Sequence, residues 1–195
     1  MEIRLIRHGK PQFWDNYEPL TVLSGDEVEV ALVDYYKSGI LAGSDPPQRS
    51  VDAATSGVGI AYCSGLRRTV ETASALGVRS RLIHDPLFVE PAVPHGFWKK
   101  TKLPLALWFI ISKISWFFGY SINCESAVKT KERAEKAAAF LINAAKQYGT
   151  VLLVGHSSMN NMIFRALQKR KWKASSPFYD GNFWGCNVLK SVRND

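Results

Sequence analysis

Apolar residues occur along the chain in two alternating patterns, short runs and helical repeats. Four short runs bounded by turn residues predict β-strands at about 2–7, 58–63, 79–84 and 150–155. Four longer segments with apolar residues at helical spacing predict helices at about 25–38, 66–76, 124–148 and 157–170. Strands that alternate with helices predict a three-layer α/β/α sandwich around a mostly parallel sheet.

Two further segments complete this prediction. The stretch 41–57 is rich in Pro, Gly, Ser and Asp, so we expect a surface loop there. Residues 186–192 (CNVLKSV) predict a late edge strand. With 195 residues, of which 46% are hydrophobic and 22% charged, the chain has the size and composition of a single globular domain, 1–195.

The segment 103–120 (LPLALWFIISKISWFFGY) is strongly apolar and holds two tryptophans. Lys113 interrupts it, and it falls short of the roughly 20 clean apolar residues that a membrane-spanning helix needs. We therefore expect a buried or cap-forming helix within a cap insertion at about 91–123. A helix that lies at a membrane surface is the alternative.

The net charge of +8 is unevenly distributed along the chain. No Asp or Glu lies between Glu90 and Glu125, and a second stretch without acidic residues covers 136–179. The first stretch carries four lysines: Lys99, Lys100, Lys102 and Lys113. Such asymmetry strengthens the field that attracts phosphate esters, acidic lipids or nucleic acids, and charge alone does not choose among them.

The cysteines and the N-terminal segment indicate in which cellular compartment the protein is found. Cys63, Cys124 and Cys186 form a sparse, odd set without a CxxC pair, which argues against a disulfide framework or a cysteine zinc site. The segment MEIRLIRHG lacks a long apolar core followed by a small-residue cleavage site, so we expect no signal peptide. We expect a cytoplasmic protein, either free or in peripheral contact with a membrane.

Polar clusters directly follow three of the predicted strands. Arg7, His8 and Gly9 come after the first strand, 64–68 after the second, and His156 after the strand at 150–155. Ligands of open α/β sheets collect at the carboxyl ends of the strands. Histidines and arginines that meet at this edge predict a site for an anion.

Four segments carry a resemblance to a known family. LIRHGKP at 5–11, CSGLRRTVETA at 63–73, LFVEP at 87–91 and VGHSSMNNMI at 154–163 occur in the order of the motifs of the histidine phosphatase superfamily. The chain resembles the phosphatase branch of this superfamily along nearly its whole length. The resemblance implies a phosphoglycerate mutase-like fold.

The resemblance also implies a role for each residue of the site. It makes His8 the nucleophile, Glu90 the proton donor and His156 the second histidine of the pocket. It assigns phosphate binding to Arg7, Gly9, Arg68 and His156, with Arg68 rather than Arg67 as the motif arginine. Ser157 is a further phosphate ligand through its hydroxyl or its N–H, with ordinary capping of the following helix as the alternative.

These assignments agree with the chemistry of phosphoryl transfer. The transferred group spreads negative charge over three oxygens, and arginine offers a planar fork of donors that stays charged. Two arginines and a histidine therefore suffice without a metal ion or another cofactor. Guanidinium groups close to His8 should keep its imidazole neutral and nucleophilic. Glu90 should donate a proton to the leaving oxygen and then act as base towards water.

Departures from the mutase pattern narrow the expected function. Lys10, Pro11 and Trp14 stand where the mutase branch has a Thr or Ser followed by Trp-Asn, and the long acidic-aromatic insert of that branch is missing. Gly65 replaces the usual proline, which loosens the turn. The segment after Glu90, EPAVPHGFW, also departs from the family in its spacing. We therefore expect a phosphatase rather than a mutase.

The predicted function is a metal-independent phosphomonoesterase with a phosphohistidine intermediate on His8. Its substrate would be a phosphorylated small molecule or a phosphoprotein, and the apolar insert would line the site entrance and select bulky apolar esters. The alternative is a non-catalytic or weakly active phosphate-binding module that docks to a membrane or a protein partner through 97–120. Nucleic-acid binding rests on charge alone and is not expected. The sequence indicates no oligomeric state.

Overall fold

A six-stranded mixed sheet forms the centre of the computed structural model, which describes residues 1–96 and 98–192. The described residues form eight strands: β1 (Glu2–Arg7), β2 (Val22–Ser24), β3 (Ile60–Cys63), β4 (Leu82–His84), β5 (Lys102–Pro104), β6 (Thr150–Gly155), β7 (Trp172–Ala174) and β8 (Cys186–Ser191). The large sheet has the order β4-β3-β6-β1-β8-β7, and β2 pairs with β5 in a small separate sheet. Strands β4, β3, β6 and β1 are parallel, whereas β8 is antiparallel to both of its neighbours.

Helices cover the large sheet on both faces. The helices are α1 (Phe13–Asn16), α2 (Gly25–Lys37), α3 (Gln48–Thr55), α4 (Arg67–Ala75), α5 (Leu105–Phe117), α6 (Ala127–Tyr148) and α7 (Ser157–Lys169). Of these, α3 and α4 cover one face of the large sheet, and α6 and α7 cover the other. The predicted architecture, a mostly parallel sheet flanked by helices, is confirmed.

Alternating side chains of the central strands divide the core into two clusters. In β6, Val151 and Leu153 pack on one face with residues of α6 and α7, and Leu152 and Val154 pack on the other with residues of α3 and α4. Successive side chains of a strand point to opposite faces, so a strand buried on both sides is apolar at every position. The run VLLVG in β6 has this form.

A third cluster lies around α5 and joins it to α1 and α2. Leu105 and Trp108 of α5 are buried against Phe13, Val28 and Leu32. The Trp108 indole N–H also donates to the carbonyl of Leu23 at 2.9 Å, which satisfies the polar end of the ring. The inner face of α5 is thus a packed core element. The role of the apolar region 97–120 as a cap over the site stays a prediction. Phe97, the first residue of this region, lies outside the described residues.

Two predicted elements were wrong in detail. The expected loop at 41–57 contains α3, whose buried residues Ser50 and Ala54 face the core; Pro47 precedes its first residue, where a residue without an N–H fits a helix start. The expected edge strand at 186–192 is β8, which lies inside the sheet between β1 and β7. The edge is β7, a strand of three residues whose length gave too little pattern to predict.

Within the described ranges, no helix is both long enough and apolar enough to cross a bilayer.

Candidate active site

The ends of β1, β3 and β6 bring together the groups that the sequence placed after each strand. The N–H of His8 donates to the carbonyl of Gly155 at 3.0 Å, which joins the end of β1 to the end of β6. The rings of His8 and His156 meet edge to face with their centroids 5.1 Å apart. His8, Arg68 and His156 are all buried.

His8 is held in one tautomer. Its Nδ1 lies 2.7 Å from the carbonyl oxygen of Gly9, and because a carbonyl only accepts, Nδ1 must carry the proton. Burial lowers the pKa of His8 to about 3, and the charges of Arg68 and Arg7 add to this effect while the bond to Gly9 opposes it. The ring is therefore neutral near neutral pH, with its lone pair on Nε2.

His156 is the residue before the first turn of α7, and a serine fixes its ring. Its Nε2 lies 2.7 Å from the hydroxyl oxygen of Ser64, and its buried Nδ1 makes no hydrogen bond to the described residues. Burial, followed by the charges of His8 and Arg68, keeps the pKa of His156 well below its ordinary value. When the Ser64 hydroxyl donates to Nε2, the proton of the neutral ring is on Nδ1, which can then donate to an anion.

Arg68 lies inside the site, whereas Arg67 lies on the surface. The Nη1 of Arg68 donates to the carbonyl of Tyr35 at 3.1 Å, and its guanidinium carbon lies 4.6 Å from the centroid of the Tyr35 ring. Its buried Nε and Nη2 make no hydrogen bond within the described residues. The exposed Arg67 instead forms an ion pair with Glu71 one helical turn away, at 2.6 Å.

Arg7 is held by the loop between β7 and β8. Its Nη1 donates to the carbonyl of Gly181 at 2.6 Å, and its guanidinium carbon lies 3.9 Å above the Phe183 ring. Its Nε is buried and makes no hydrogen bond to the described residues. Burial lowers the pKa of Arg7, and the charge of Glu90 is among the groups that oppose this.

Glu90 is half-buried and sits near the start of α7. Its Oε1 accepts from the N–H of Ser158 at 3.3 Å, and its buried Oε2 makes no hydrogen bond in the described part of the chain. The loop before it is fixed by Arg133 of α6, whose Nη1 donates to the carbonyls of Leu87 at 2.9 Å and Val89 at 2.8 Å.

The structure shows the backbone surroundings of two further predicted phosphate ligands, Gly9 and Ser157. The N–H of Gly9 donates to the hydroxyl oxygen of Thr72 at 2.9 Å, so it is already engaged, and Gly9 acts on the site through its carbonyl. Ser157 is the first residue of α7, and the capping position is His156, which makes no side-chain capping bond. The alternative in which Ser157 caps the helix was therefore wrong, and its hydroxyl remains a candidate for the site.

The glycine of RHG also lies against a large ring. A Cβ atom on Gly9 would come within 2.4 Å of the Trp184 indole, and the indole N–H donates to the hydroxyl of Ser44 at 3.0 Å. Gly9 has no positive φ, so the requirement for glycine here is one of space.

Several residues of the site were not singled out from the sequence. Tyr35 and Phe183 supply the rings beside Arg68 and Arg7, and Arg133 fixes the loop before Glu90. These three lie on elements remote in sequence from the motifs, and only the Tyr-Tyr pair at 35–36 in a helix offered a local signal. Ser64, which orients His156, belongs to the cluster 64–68 that the sequence did indicate. Among the described residues, no group of three or more His, Cys, Asp or Glu stands together as a metal site would.

Comparison with known families decides the family of the chain. A family model described as the histidine phosphatase superfamily (branch 1) matches residues 49–182. The chain belongs to this superfamily. The matched range contains Arg68, Glu90 and His156 and begins after His8. No match was found among curated proteins.

Several solved structures share the fold at low sequence identity. The mycobacterial glucosyl-3-phosphoglycerate phosphatase is 19% identical with a TM-score of 0.63, over 100% of this chain and 92% of its own. YhfR of Bacillus stearothermophilus is 18% identical with a TM-score of 0.62, over 96% and 89%. The ecdysone phosphate phosphatase of Bombix mori is 15% identical with a TM-score of 0.57, over 98% and 92%. At these identities the similarity shows the fold and leaves the substrate open.

Proposed function

We propose that the chain is a phosphomonoesterase that takes phosphate onto His8 and then passes it to water. The observation that carries the proposal is the bond from Nδ1 of His8 to the Gly9 carbonyl, at 2.7 Å. This bond, with the lowered pKa of the ring, leaves the Nε2 lone pair of a neutral imidazole free to attack phosphorus.

Unpaired buried donors around His8 fit the oxygens of a phosphoryl group. Arg7 offers its Nε, and Arg68 offers its Nε and Nη2, none of them bonded to the described residues. Leaving such groups unpaired inside a protein costs free energy, and three oxygens that share negative charge would satisfy them. Donors fixed in advance stabilise the charge that develops in the transition state.

Glu90 supplies the proton in this proposal. The bond from phosphorus to the ester oxygen breaks as the bond to Nε2 of His8 forms, and the leaving oxygen takes the proton of the Glu90 carboxyl. Water then attacks the phosphorus as the bond from phosphorus to Nε2 breaks, and Glu90 accepts a proton from this water. The electron pair returns to Nε2, so inorganic phosphate is released and His8 is again neutral.

The proposed reaction uses no metal ion, runs in the cytoplasm, and ends in hydrolysis rather than in transfer to a second site of the substrate. The guanidinium groups take the part that Mg²⁺ plays in other phosphoryl-transfer sites. The aromatic rings of Tyr35 and Phe183 beside the arginines favour a substrate with an apolar body.

Trapping of the phosphoenzyme tests the proposal. With p-nitrophenyl phosphate in the presence of EDTA, wild type should release p-nitrophenol and give an acid-labile phosphohistidine after rapid quenching. The variant His8→Ala should give neither. Activity that disappears with EDTA and returns with a divalent cation, or a labelled protein that survives the loss of His8, would overturn the mechanism.

A further inference from the structure

The outward side of α5 is an exposed apolar surface. We call it the α5 outer face, and its residues follow one another at helical spacing: Leu107, Ile110, Ile114, Phe117 and Phe118. The opposite side of the helix, with Leu105 and Trp108, is buried in the third cluster. Single exposed apolar residues are normal, but a contiguous row of large ones marks an interaction surface.

Neighbouring residues extend this surface beyond the helix. The N–H of Leu105 donates to the carbonyl of Thr21 at 2.9 Å, which places the segment before β2 beside the first turn of α5. Leu20 of that segment and Val22, the first residue of β2, are both exposed. Exposed apolar side chains thus lie on two chain segments beside the first turn of α5.

Exposed lysines accompany the α5 outer face. They are Lys99, Lys100 and Lys102 before the helix and Lys113 within it. Acidic residues at the start of α2 lie near the lysines before the helix: Glu27 interacts with Lys102, and the N–H of Asp26 donates to the carbonyl of Lys99 at 3.2 Å. No ion pair joins any of the four lysines to an acid within the described residues, and Lys113 lies inside the acid-free stretch from 91 to 124.

We propose that the α5 outer face and these lysines dock the protein on an anionic lipid surface. An apolar helical face beside basic residues suits a helix that lies in the plane of the headgroups, with its apolar side chains towards the acyl chains. Lysines near such a surface each add attraction to anionic headgroups. A helix of 13 residues is long enough for this and too short to cross the bilayer.

The lysines favour a lipid surface over a second copy of the chain as the binding partner of the α5 outer face. A two-fold contact through the α5 outer face would bring the same lysines of two copies together, because both partners present the same patch. Like charges in such a contact oppose association. An anionic surface complements both the apolar row and the lysines.

Vesicle sedimentation tests the proposal without any need for catalysis. The full chain should sediment with vesicles of phosphatidylcholine and phosphatidylglycerol in equal amounts, and not with phosphatidylcholine alone. Binding should weaken as ionic strength rises. Lys99→Gln together with Lys100→Gln should lower binding by about fivefold for each lysine removed. Lys171→Gln together with Lys173→Gln removes the same charge elsewhere and should leave binding almost unchanged.

A matched pair of phenylalanines tests the apolar part. Phe118 is 82% exposed on the α5 outer face, and Phe178 is 81% exposed in the loop before β8. Phe118→Ser should lower vesicle binding about tenfold, the loss expected when one buried aromatic side chain is removed, and Phe178→Ser should not. Circular dichroism serves as the control for folding in both variants.

Three results would overturn the proposal. The first is the absence of binding to anionic vesicles at low salt, and the second is an equal loss in the two phenylalanine variants. The third is a wild-type dimer that Phe118→Ser converts to a monomer in sedimentation equilibrium, which would make the α5 outer face a contact between copies. Each result is independent of whether His8 forms a phosphoenzyme.

Discussion

At the scale of single residues, the two neighbouring arginines at the start of α4 illustrate how position decides role. Arg68 faces inward to His8 and has two unpaired nitrogens, whereas Arg67 faces solvent and is paired with Glu71. The two side chains are chemically identical. Their helical phase alone, about 100° per residue, separates a buried guanidinium beside His8 from a surface ion pair.

Substitution of each arginine should therefore give different kinetics. Arg68→Ala removes fixed positive charge from the transition state, and we expect kcat/KM to fall about 10²-fold or more. Arg67→Ala removes an exposed i,i+4 ion pair, so kcat/KM should change by less than about twofold. Steady-state hydrolysis of p-nitrophenyl phosphate measures both, and equal losses would contradict the assignment of Arg68.

The buried histidine should make stability depend on pH. The pKa of His8 is about 3 in the folded chain and 6.5 for an ordinary histidine, so at pH values between the two the unfolded chain binds a proton that the folded chain does not. Stability should therefore fall as the pH drops from 6.5 towards 3. Urea unfolding at about pH 7 and about pH 5 measures this, and His8→Asn should show a smaller drop than wild type. A drop of the same size in both would mean that His8 is solvated.

At the scale of elements, α6 connects the insert to the loop that carries the proposed acid. Trp116 of α5 donates to the carbonyl of Glu125 at 2.7 Å, and the Glu125 carboxylate pairs with Arg133 at 2.7 Å. Arg133 in turn holds the carbonyls of Leu87 and Val89. Arg133 is thus a positioning residue for Glu90.

Replacement of the Arg133 guanidinium should impair proton donation by Glu90 more than phosphate binding. Arg133→Lys cannot serve the carboxylate and both carbonyls together, so kcat for alkyl phosphates should fall about tenfold with KM little changed. Aryl phosphates with good leaving groups need little protonation and should be spared, as they should be in Glu90→Gln.

The matched control is Arg170→Lys, which alters an ion pair with Glu135 between α6 and the end of α7 and should leave both kinds of substrate unaffected. Equal losses for alkyl and aryl phosphates in Arg133→Lys would remove Arg133 from this role.

The elements also show which parts of the fold the sequence could predict. Strands buried on both faces, such as β6, and long periodic helices, such as α6, have strong local patterns and were predicted within a few residues. α3 was missed because the loop composition around Pro46 and Pro47 masks a helix of eight residues. The small sheet of β2 and β5 depends on a pairing between segments far apart in the chain, which no local pattern encodes.

The same distinction applies to the site. Residues that directly follow strands could be located because topology fixes where strand ends meet. Tyr35, Phe183 and Arg133 reach the site from remote elements through tertiary contacts. Their contributions required the structure. The roles of His8, Glu90 and His156 stay predictions that the kinetic variants test.

At the scale of the whole molecule, one side of α5 stabilises the fold and the other side is exposed. Trp108 belongs to the third cluster and is fully enclosed, whereas Phe117 lies on the α5 outer face. Trp108→Ala should lower the free energy of unfolding by about 3–5 kcal/mol, since it leaves a cavity and removes the bond to Leu23. Phe117→Ala should change it by less than about 0.5 kcal/mol.

Urea unfolding followed by far-ultraviolet circular dichroism measures both values. Stability of Trp108→Ala close to wild type would show that the third cluster contributes little to folding. A large loss in Phe117→Ala would show that the α5 outer face is covered in solution.

The contact of Gly9 with the Trp184 ring has a consequence for which substitutions this chain can accept. Because a Cβ at position 9 would overlap the indole, a larger residue at position 9 requires a smaller side chain at position 184. Descendants that keep a large ring at position 184 should keep glycine at position 9, and alanine should become acceptable only after that ring has been replaced by a smaller side chain. In this chain, glycine at position 9 is thus tied to a tryptophan that lies 175 positions later in the sequence.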